Sequence, residues 1–446
     1  MTFIARLARY AGVDRATIYG IMTRVWSMGA GLLTVLAITV FFTPKVQGFY
    51  YTFLSLAAIQ TFFELGLTQV LIQFAAHEWA HLRLEDGKIS GNPDALARLA
   101  SLGRLSSRWF TIGSGLFLAG LLIAGSLMFS SHSGEIAWRG PWMALCFALA
   151  ADLFLLPFWS LLEGCNQLRS LYFIRMTRAV VTSVVLWAAI ISGAGLWAIS
   201  ISVWAGITVT VLLAASRHFR FFSSMFRAPV GATLSWWREV WPMQWRIAVT
   251  WSAGYFFLSL FTPVLFRYRG AVEAGQLGMT LNVLAALNAV GTVLIQTKVP
   301  TFGALIAERK WKALDELTLR VGLSSGLIVL IGSAVLFSVV LTINLIHSPF
   351  AARVLAPLPF ATFLVATLAG CLTAPMSFYL RAHKQEPLVG VSVAVGLIVA
   401  ISNIILGRYW GALGMGIGYA GATIAVSLPV ITLIFLRCRS AWHPQL

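Results

Sequence analysis

Charge is what this sequence has least of. Asp, Glu, Lys and Arg make up 11% of its 446 residues, against about 25% in an ordinary soluble chain. That shortage excludes a water-solvated surface over most of the molecule. Acid is scarcer than base, with 15 Asp and Glu against 32 Lys and Arg. A net charge of +17 can signal nucleic acid, but the bases are not gathered on one domain or stripe, so no nucleic-acid partner is expected. Cysteine is rare too: Cys146, Cys165, Cys371 and Cys438 have neither metal-ligand spacing nor a disulfide pattern. No glycine-rich loop joins a strand to a helix, so the chain has no nucleotide motif for driving work by ATP hydrolysis.

What fills the sequence instead is apolar residue, 59% of the total. Runs of roughly 20 apolar residues, the length that crosses a bilayer, recur from end to end. In lipid the backbone must satisfy its own hydrogen bonds, so each run is a helix. Twelve spans are expected, near 20–42, 48–75, 109–130, 141–164, 171–191, 195–214, 241–265, 275–297, 321–343, 355–380, 388–406 and 412–436. Alternate connecting segments, with the two ends of the chain, hold 24 of the 32 Lys and Arg. The opposite connections hold only Lys45, Arg139, Arg267, Arg269, Arg353 and Arg408. By the positive-inside rule both termini are expected in the cytoplasm. Arg6, Arg9 and Arg15 among Phe3, Ile4, Leu7 and Tyr10 read as a short amphipathic helix on the inner surface rather than a cleaved signal.

The two halves of the chain echo each other. Arg24 and Trp26-Ser27-Met28-Gly29 precede Gly48 in the first half; Arg246 and Trp251-Ser252-Ala253-Gly254 precede Gly275 in the second. The Trp-to-Gly spacings are 22 and 24 residues. Parallel repeats of this kind occur in transporters. The expected organisation is therefore an N-terminal six-helix lobe over 1–220 and a C-terminal six-helix lobe over 241–446. An amphipathic cytoplasmic connector over 221–240, rich in Phe and Arg, would join them.

Several segments in order carry a family resemblance. They are Thr43-Pro44-Lys45-Val46-Gln47-Gly48-Phe49-Tyr50, Phe63-Glu64-Leu65-Gly66-Leu67, Leu162-Glu163-Gly164-Cys165-Asn166-Gln167, Trp241-Pro242, Trp251-Ser252-Ala253-Gly254-Tyr255, Ala274-Gly275-Gln276-Leu277-Gly278-Met279 and Lys298-Val299-Pro300-Thr301-Phe302-Gly303. Together the chain resembles the polysaccharide and O-antigen flippases of the multidrug/oligosaccharidyl-lipid/polysaccharide exporter (MOP) superfamily. The resemblance implies an all-α polytopic membrane protein of about 12 helices, two six-helix lobes around a central cavity. It implies a non-enzymatic carrier of undecaprenyl-diphosphate-linked oligosaccharide across a bacterial inner membrane, working by alternating access. Partners would be that substrate, membrane lipids and other glycan-assembly proteins. No cofactor is implied, though a coupling ion is compatible with it.

Such a substrate needs cations for its diphosphate and hydrogen-bonding groups for its sugars. Charges inside spans are costly and usually functional, which singles out Arg24 and Arg246 as a diphosphate grip; the alternative is that both snorkel to the surface. Lys298 marks the inner surface or meets the headgroup. Gln60 and Asn282 suit a glycan path or interhelical hydrogen bonds. Trp251 and Tyr255 suit sugar stacking or interface packing. Glu64 and Asp152 lie within spans and suit ion coupling or charge pairing. Gly411, Gly414, Gly416, Gly418 and Gly421 read as close helix packing.

Two rival functions stand beside this one. A drug or metabolite antiporter of the same superfamily would favour an acidic cavity. His77-Glu78-Trp79-Ala80-His81 matches the H-E-x-x-H pattern of a zinc metalloprotease, but it falls beside a polar segment with no acidic ligand on a second span, so no metal is expected.

Overall fold

The computed structural model describes residues 15–443 apart from 65, 131–133, 135, 228–233, 237–238, 240, 242–243, 246–258 and 384. The chain is an all-α polytopic membrane protein of about twelve helices. Among the described residues nine helices are long and apolar enough to cross a bilayer, and a bent pair, Pro44–Glu64 with Leu67–Trp79, makes a tenth. One of the nine, Val389–Trp442, is 54 residues long and holds two expected spans. The expected span 241–265 falls largely outside the described residues, as does the N-terminal amphipathic helix.

In chain order the first elements are α1 (Arg15–Phe41), α2 (Pro44–Ala57), α3 (Gln60–Glu64) and α4 (Leu67–Trp79). A two-stranded hairpin follows, β1 (Leu82–Glu85) and β2 (Lys88–Gly91), with Leu82 opposite Gly91 and Glu85 opposite Lys88. Then come α5 (Pro93–Phe129), α6 (Arg139–Gly164), α7 (Leu168–Ile191) and α8 (Trp197–Phe226). The second half holds α9 (Phe261–Arg269), α10 (Ala271–Ala307), α11 (Trp311–Leu345), α12 (Pro357–Ala382), α13 (Val389–Gly421) and α14 (Leu428–Trp442).

The segment 76–108, which separates two of the expected spans, is structured. Asp86 and Gly87 both take positive φ, 49° and 78°, the backbone that a two-residue hairpin turn requires. Asn92 then caps α5, its side chain accepting from the amides of Asp94 and Ala95 at 2.8 and 3.4 Å, with Pro93 in the first turn. α5 therefore starts well before its apolar stretch. Likewise α8 runs on through Phe226, so the first part of the expected connector continues a span.

The chain forms two compact units, Met1–Phe42 with Leu56–Ser252, and Thr43–Ser55 with Ala253–Leu446. In unit 1, α7 packs between α1 and α8, and α6 packs on α4, α5 and α8. In unit 2, α10 to α13 form a bundle around buried Phe261, Leu277, Phe360, Phe363 and Met415. The early segment Thr43–Ser55 belongs to this bundle because its residues fit α10 at backbone range. A Cβ on Gly48 would strike the carbonyl of Ala271, and one on Gly275 would strike Gly48 itself. The buried Gln47 locks the crossing, donating from Nε2 to the carbonyls of Gly275 (2.9 Å) and Arg353 (2.8 Å). The two glycines that mark the echo between the halves thus meet each other.

At Gly411 (φ 60°, ψ −143°) α13 reverses, a turn only glycine makes without strain. Gly414 faces the Leu406 carbonyl and Gly418 faces Ser402 where a side chain would collide, and Gly416 does the same against Thr362 of α12. Four of the five glycines are therefore spent on the reversal and its close packing; Gly421 faces open space. Leu, Ile and Val side chains along α1 and α11, including Val25, Leu32, Leu36, Leu319, Leu323 and Ile331, point outward, as a lipid-facing surface requires.

Candidate functional site

The interior of unit 1 is where an apolar sequence brings charge together. α6 and α7 are antiparallel, joined by a short turn in which Asn166 takes a left-handed φ of 58°. They are bridged by two ion pairs. Arg178, near the middle of α7, holds Asp152, near the middle of α6, with a bidentate fork of 2.7 and 2.9 Å. Three residues earlier on the same face, Arg175 donates to Glu163 at 2.6 Å. Both carboxylates are largely withdrawn from the surface, Asp152 at 15% side-chain exposure and Glu163 at 22%.

Between these helices and α4 lies a cavity of about 340 Å³, lined by Glu64, Gln69, Trp159, Ser160, Glu163, Arg175, Arg178 and Thr210 with apolar neighbours. Its walls follow from local sequence. Pro157, inside α6, lacks the N–H that would complete the helical ladder there. Gly164 lets α6 approach Ile72 and Ala75 of α4, and Gly206 lets α8 pass Thr182 and Arg178 of α7. Glu64 ends α3 just before Gly66, whose φ is 66°. Its carboxylate accepts from Gln60 Nε2 at 3.1 Å, a neutral partner where Asp152 and Glu163 have cations. The result is a ligand-sized space walled by two arginines, two carboxylates, an indole, hydroxyls and an amide.

The expected site residues scatter relative to this cavity. Glu64 lines it, Gln60 holds Glu64, and Asp152 is fixed behind it by Arg178. Arg24 is exposed on α1 and does not line it; Asn282 and Lys298 are exposed on α10 in unit 2. Arg246, Trp251 and Tyr255 lie outside the described residues. Arg175 and Arg178 correct the topology count, which placed them with the basic segment between spans four and five. Both sit within α7, facing acids on α6. Opposite charges at matched positions on consecutive antiparallel spans were the available signal.

The H-E-x-x-H segment is built for another purpose. Glu78 is buried and accepts from Arg98 Nε at 2.8 Å, and the same guanidinium reaches Glu239 at 2.9 Å. The Glu239 carboxyl is held below the usual range, first by the Ser235 backbone amide and then by Arg98. His77 is 79% exposed, and no group of three metal-binding side chains occurs among the described residues. The motif is the end of α4, tied to α5 and to the segment after α8.

No family model matches the chain, and no curated protein matches it. Solved structures do. The lipid II flippase MurJ in an inward closed conformation superposes with a TM-score of 0.64 over 96% of this chain and 90% of that one, at 11% identity. An inward-facing multidrug resistance transporter of the MATE family, in the MOP superfamily, gives 0.60 over 93% and 99%, at 14% identity. The MATE multidrug transporter DinF-BH gives 0.56 over 95% of each chain, at 12% identity. The fold is therefore that of MOP-superfamily transporters, and at these identities the likeness speaks for the fold alone.

Proposed function

We propose that this chain is a flippase that carries an undecaprenyl-diphosphate-linked oligosaccharide, an O-antigen or similar surface-glycan unit, from the inner to the outer leaflet of a bacterial inner membrane by alternating access. The observation that carries the reading is the polar cavity of unit 1, where Arg175 and Arg178 lie on one face of α7 opposite carboxylates, hydroxyls and an amide. Each guanidinium keeps N–H donors beyond those given to Asp152 and Glu163, and a planar fork suits phosphate oxygens. Thr210, Ser160, Gln69 and the carboxylates suit sugar hydroxyls, and Trp159 offers an aromatic face. The likeness to a lipid II flippase supports a lipid-linked substrate. Arg24, without an acidic partner among the described residues, and Arg246 are assigned to the diphosphate as it moves. Replacing both by Ala is expected to abolish export while the protein still inserts. Both termini are assigned to the cytoplasm.

One observation favours a second reading, an ion-coupled antiporter of small cations. Glu64 faces the cavity with a neutral partner, a carboxylate available to a proton or cation, and MATE transporters share the fold. Deleting the gene in its host and analysing lipids by mass spectrometry separates the two. Accumulation of undecaprenyl-diphosphate oligosaccharide on the inner leaflet, with surface glycan lost, is expected for the flippase. An unchanged lipid pool with normal surface glycan and impaired efflux of cations would replace it with the antiporter.

A further inference from the structure

A second recess opens on unit 1, away from the α6–α7 cavity, where the start of α1, the start of α7 and the last turns of α8 converge. Its volume is about 400 Å³, and Tyr19, Asn166, Arg169, Ser170, Phe173 and Arg217 line it. Two features set it apart from an ordinary solvated edge. First, its cations have no counter-charge: among the described residues neither Arg169 nor Arg217 forms an ion pair, whereas Arg98, Arg175 and Arg178 of the same unit are each paired with a carboxylate. Second, its geometry is fixed in advance. The Arg217 guanidinium lies 4.3 Å from the centre of the Phe173 ring, which is itself held edge-on by Tyr19 at 5.5 Å. Ser170 is fixed by a 2.7 Å hydrogen bond to the buried His218.

We infer that this recess is an anion site that takes a phosphoryl group at the level of the membrane surface. The two guanidiniums supply charge and forked donors. Asn166 adds an amide, and the stack on Phe173 holds one arginine in place so that little order is lost on binding. The depth is that of a headgroup, because α1 and α7 reach the recess within their first two turns, Arg217 follows the long apolar stretch of α8, and Tyr19 is of the residue type enriched at the membrane boundary. A phosphodiester lipid headgroup and free inorganic phosphate share this chemistry. The site is separate from the transport cavity and stands whether or not the chain moves a glycan.

The test is native mass spectrometry of the full chain in detergent, titrated with phosphatidylglycerol, with phosphatidylcholine as the zwitterionic comparison. The wild type is expected to take one phosphatidylglycerol well before any further copies. Arg169→Gln with Arg217→Gln is expected to raise the half-saturating concentration about 30-fold, at about one decade or less per basic residue, whereas Arg437→Gln, an exposed arginine of unit 2, leaves it unchanged. Phe173→Leu keeps both charges and should weaken binding about threefold, the loss of the stack alone. If millimolar inorganic phosphate leaves the lipid in place, the ligand is the headgroup; if it displaces the lipid from the wild type, soluble phosphate is the ligand. Equal phosphatidylglycerol binding by the wild type and a monodisperse double variant would overturn the proposal, as would equal affinity for phosphatidylcholine.

Discussion

The two units of this protein put their charge in opposite places. Unit 1 gathers it around one cavity: Asp152 with Arg178 at mid-helix, Glu163 with Arg175 nearer the α6–α7 turn, and Glu64 at the end of α3. Among the described residues, unit 2 forms its ion pairs at helix ends. At one end Asp315 accepts from Arg439 (2.7 and 2.9 Å) and from the Tyr379 hydroxyl at 3.1 Å. His443 stacks on Trp311 at 3.9 Å and meets His383 at 3.2 Å. At the other end Arg269 donates to the Tyr409 carbonyl and Glu273 accepts from the Ala412 amide, closing the reversal at Gly411. Charge at a helix end borders water and serves docking. Charge at mid-span must be paired or used. On the proposed function, the contrast assigns the transport chemistry to unit 1 and structural clamping to the ends of unit 2.

The largest expected effect comes from breaking the pair at mid-span. Arg178→Ala strands Asp152 in an apolar bundle and should cost about 3–5 kcal/mol, read as thermal unfolding in detergent, with export lost. Arg178→Gln with Asp152→Asn removes both charges and should recover most of that stability but not export. Recovery of both would make the pair structural and erase the contrast. Next is the α2–α10 crossing in unit 2. Gly48→Ala has no room beside Ala271 and should cost about 1–3 kcal/mol by overpacking.

A smaller effect is the pH dependence of the clamp at the end of unit 2. Burial first, then the neighbouring His383, lowers the pKa of His443. The folded state therefore binds fewer protons there than the unfolded state. The stabilisation is fully present above the ordinary histidine range and fades as pH falls through it towards the lowered value. Protection factors at the end of α14, with the intrinsic pH dependence of amide exchange divided out, should fall between pH 7 and pH 5, and His443→Phe should flatten that change. The smallest effect is expected at His77: His77→Ala, exposed at the end of α4, should shift stability by less than about 0.5 kcal/mol and leave export intact, and chelators should do nothing.

Much of the fold was legible because a span announces itself by length and apolarity alone. The positions of Gly48, Gly275 and the glycines from Gly411 onward were legible too, since close packing leaves a composition mark. The hairpin at Asp86-Gly87 carried its signal, an Asp-Gly turn, and was obscured by the polar composition around it. The cavity was harder. In lipid both the core and the outer surface are apolar, so periodicity does not say which face of α7 points inward. Arg175 and Arg178 follow Arg169 closely in sequence, so they counted with the basic segment before the span, where basic residues normally report topology rather than chemistry. Glu64 and Asp152 stood out because acid within a span has no such second explanation.

The most direct test uses the gene-deleted host complemented by single variants, with surface glycan and leaflet-resolved lipid measured in parallel. The account predicts that Arg439→Gln, at the end of unit 2, restores glycan export, while Arg178→Gln inserts normally and leaves the lipid-linked oligosaccharide on the inner leaflet. Export restored by Arg178→Gln and lost with an inserted Arg439→Gln would contradict it.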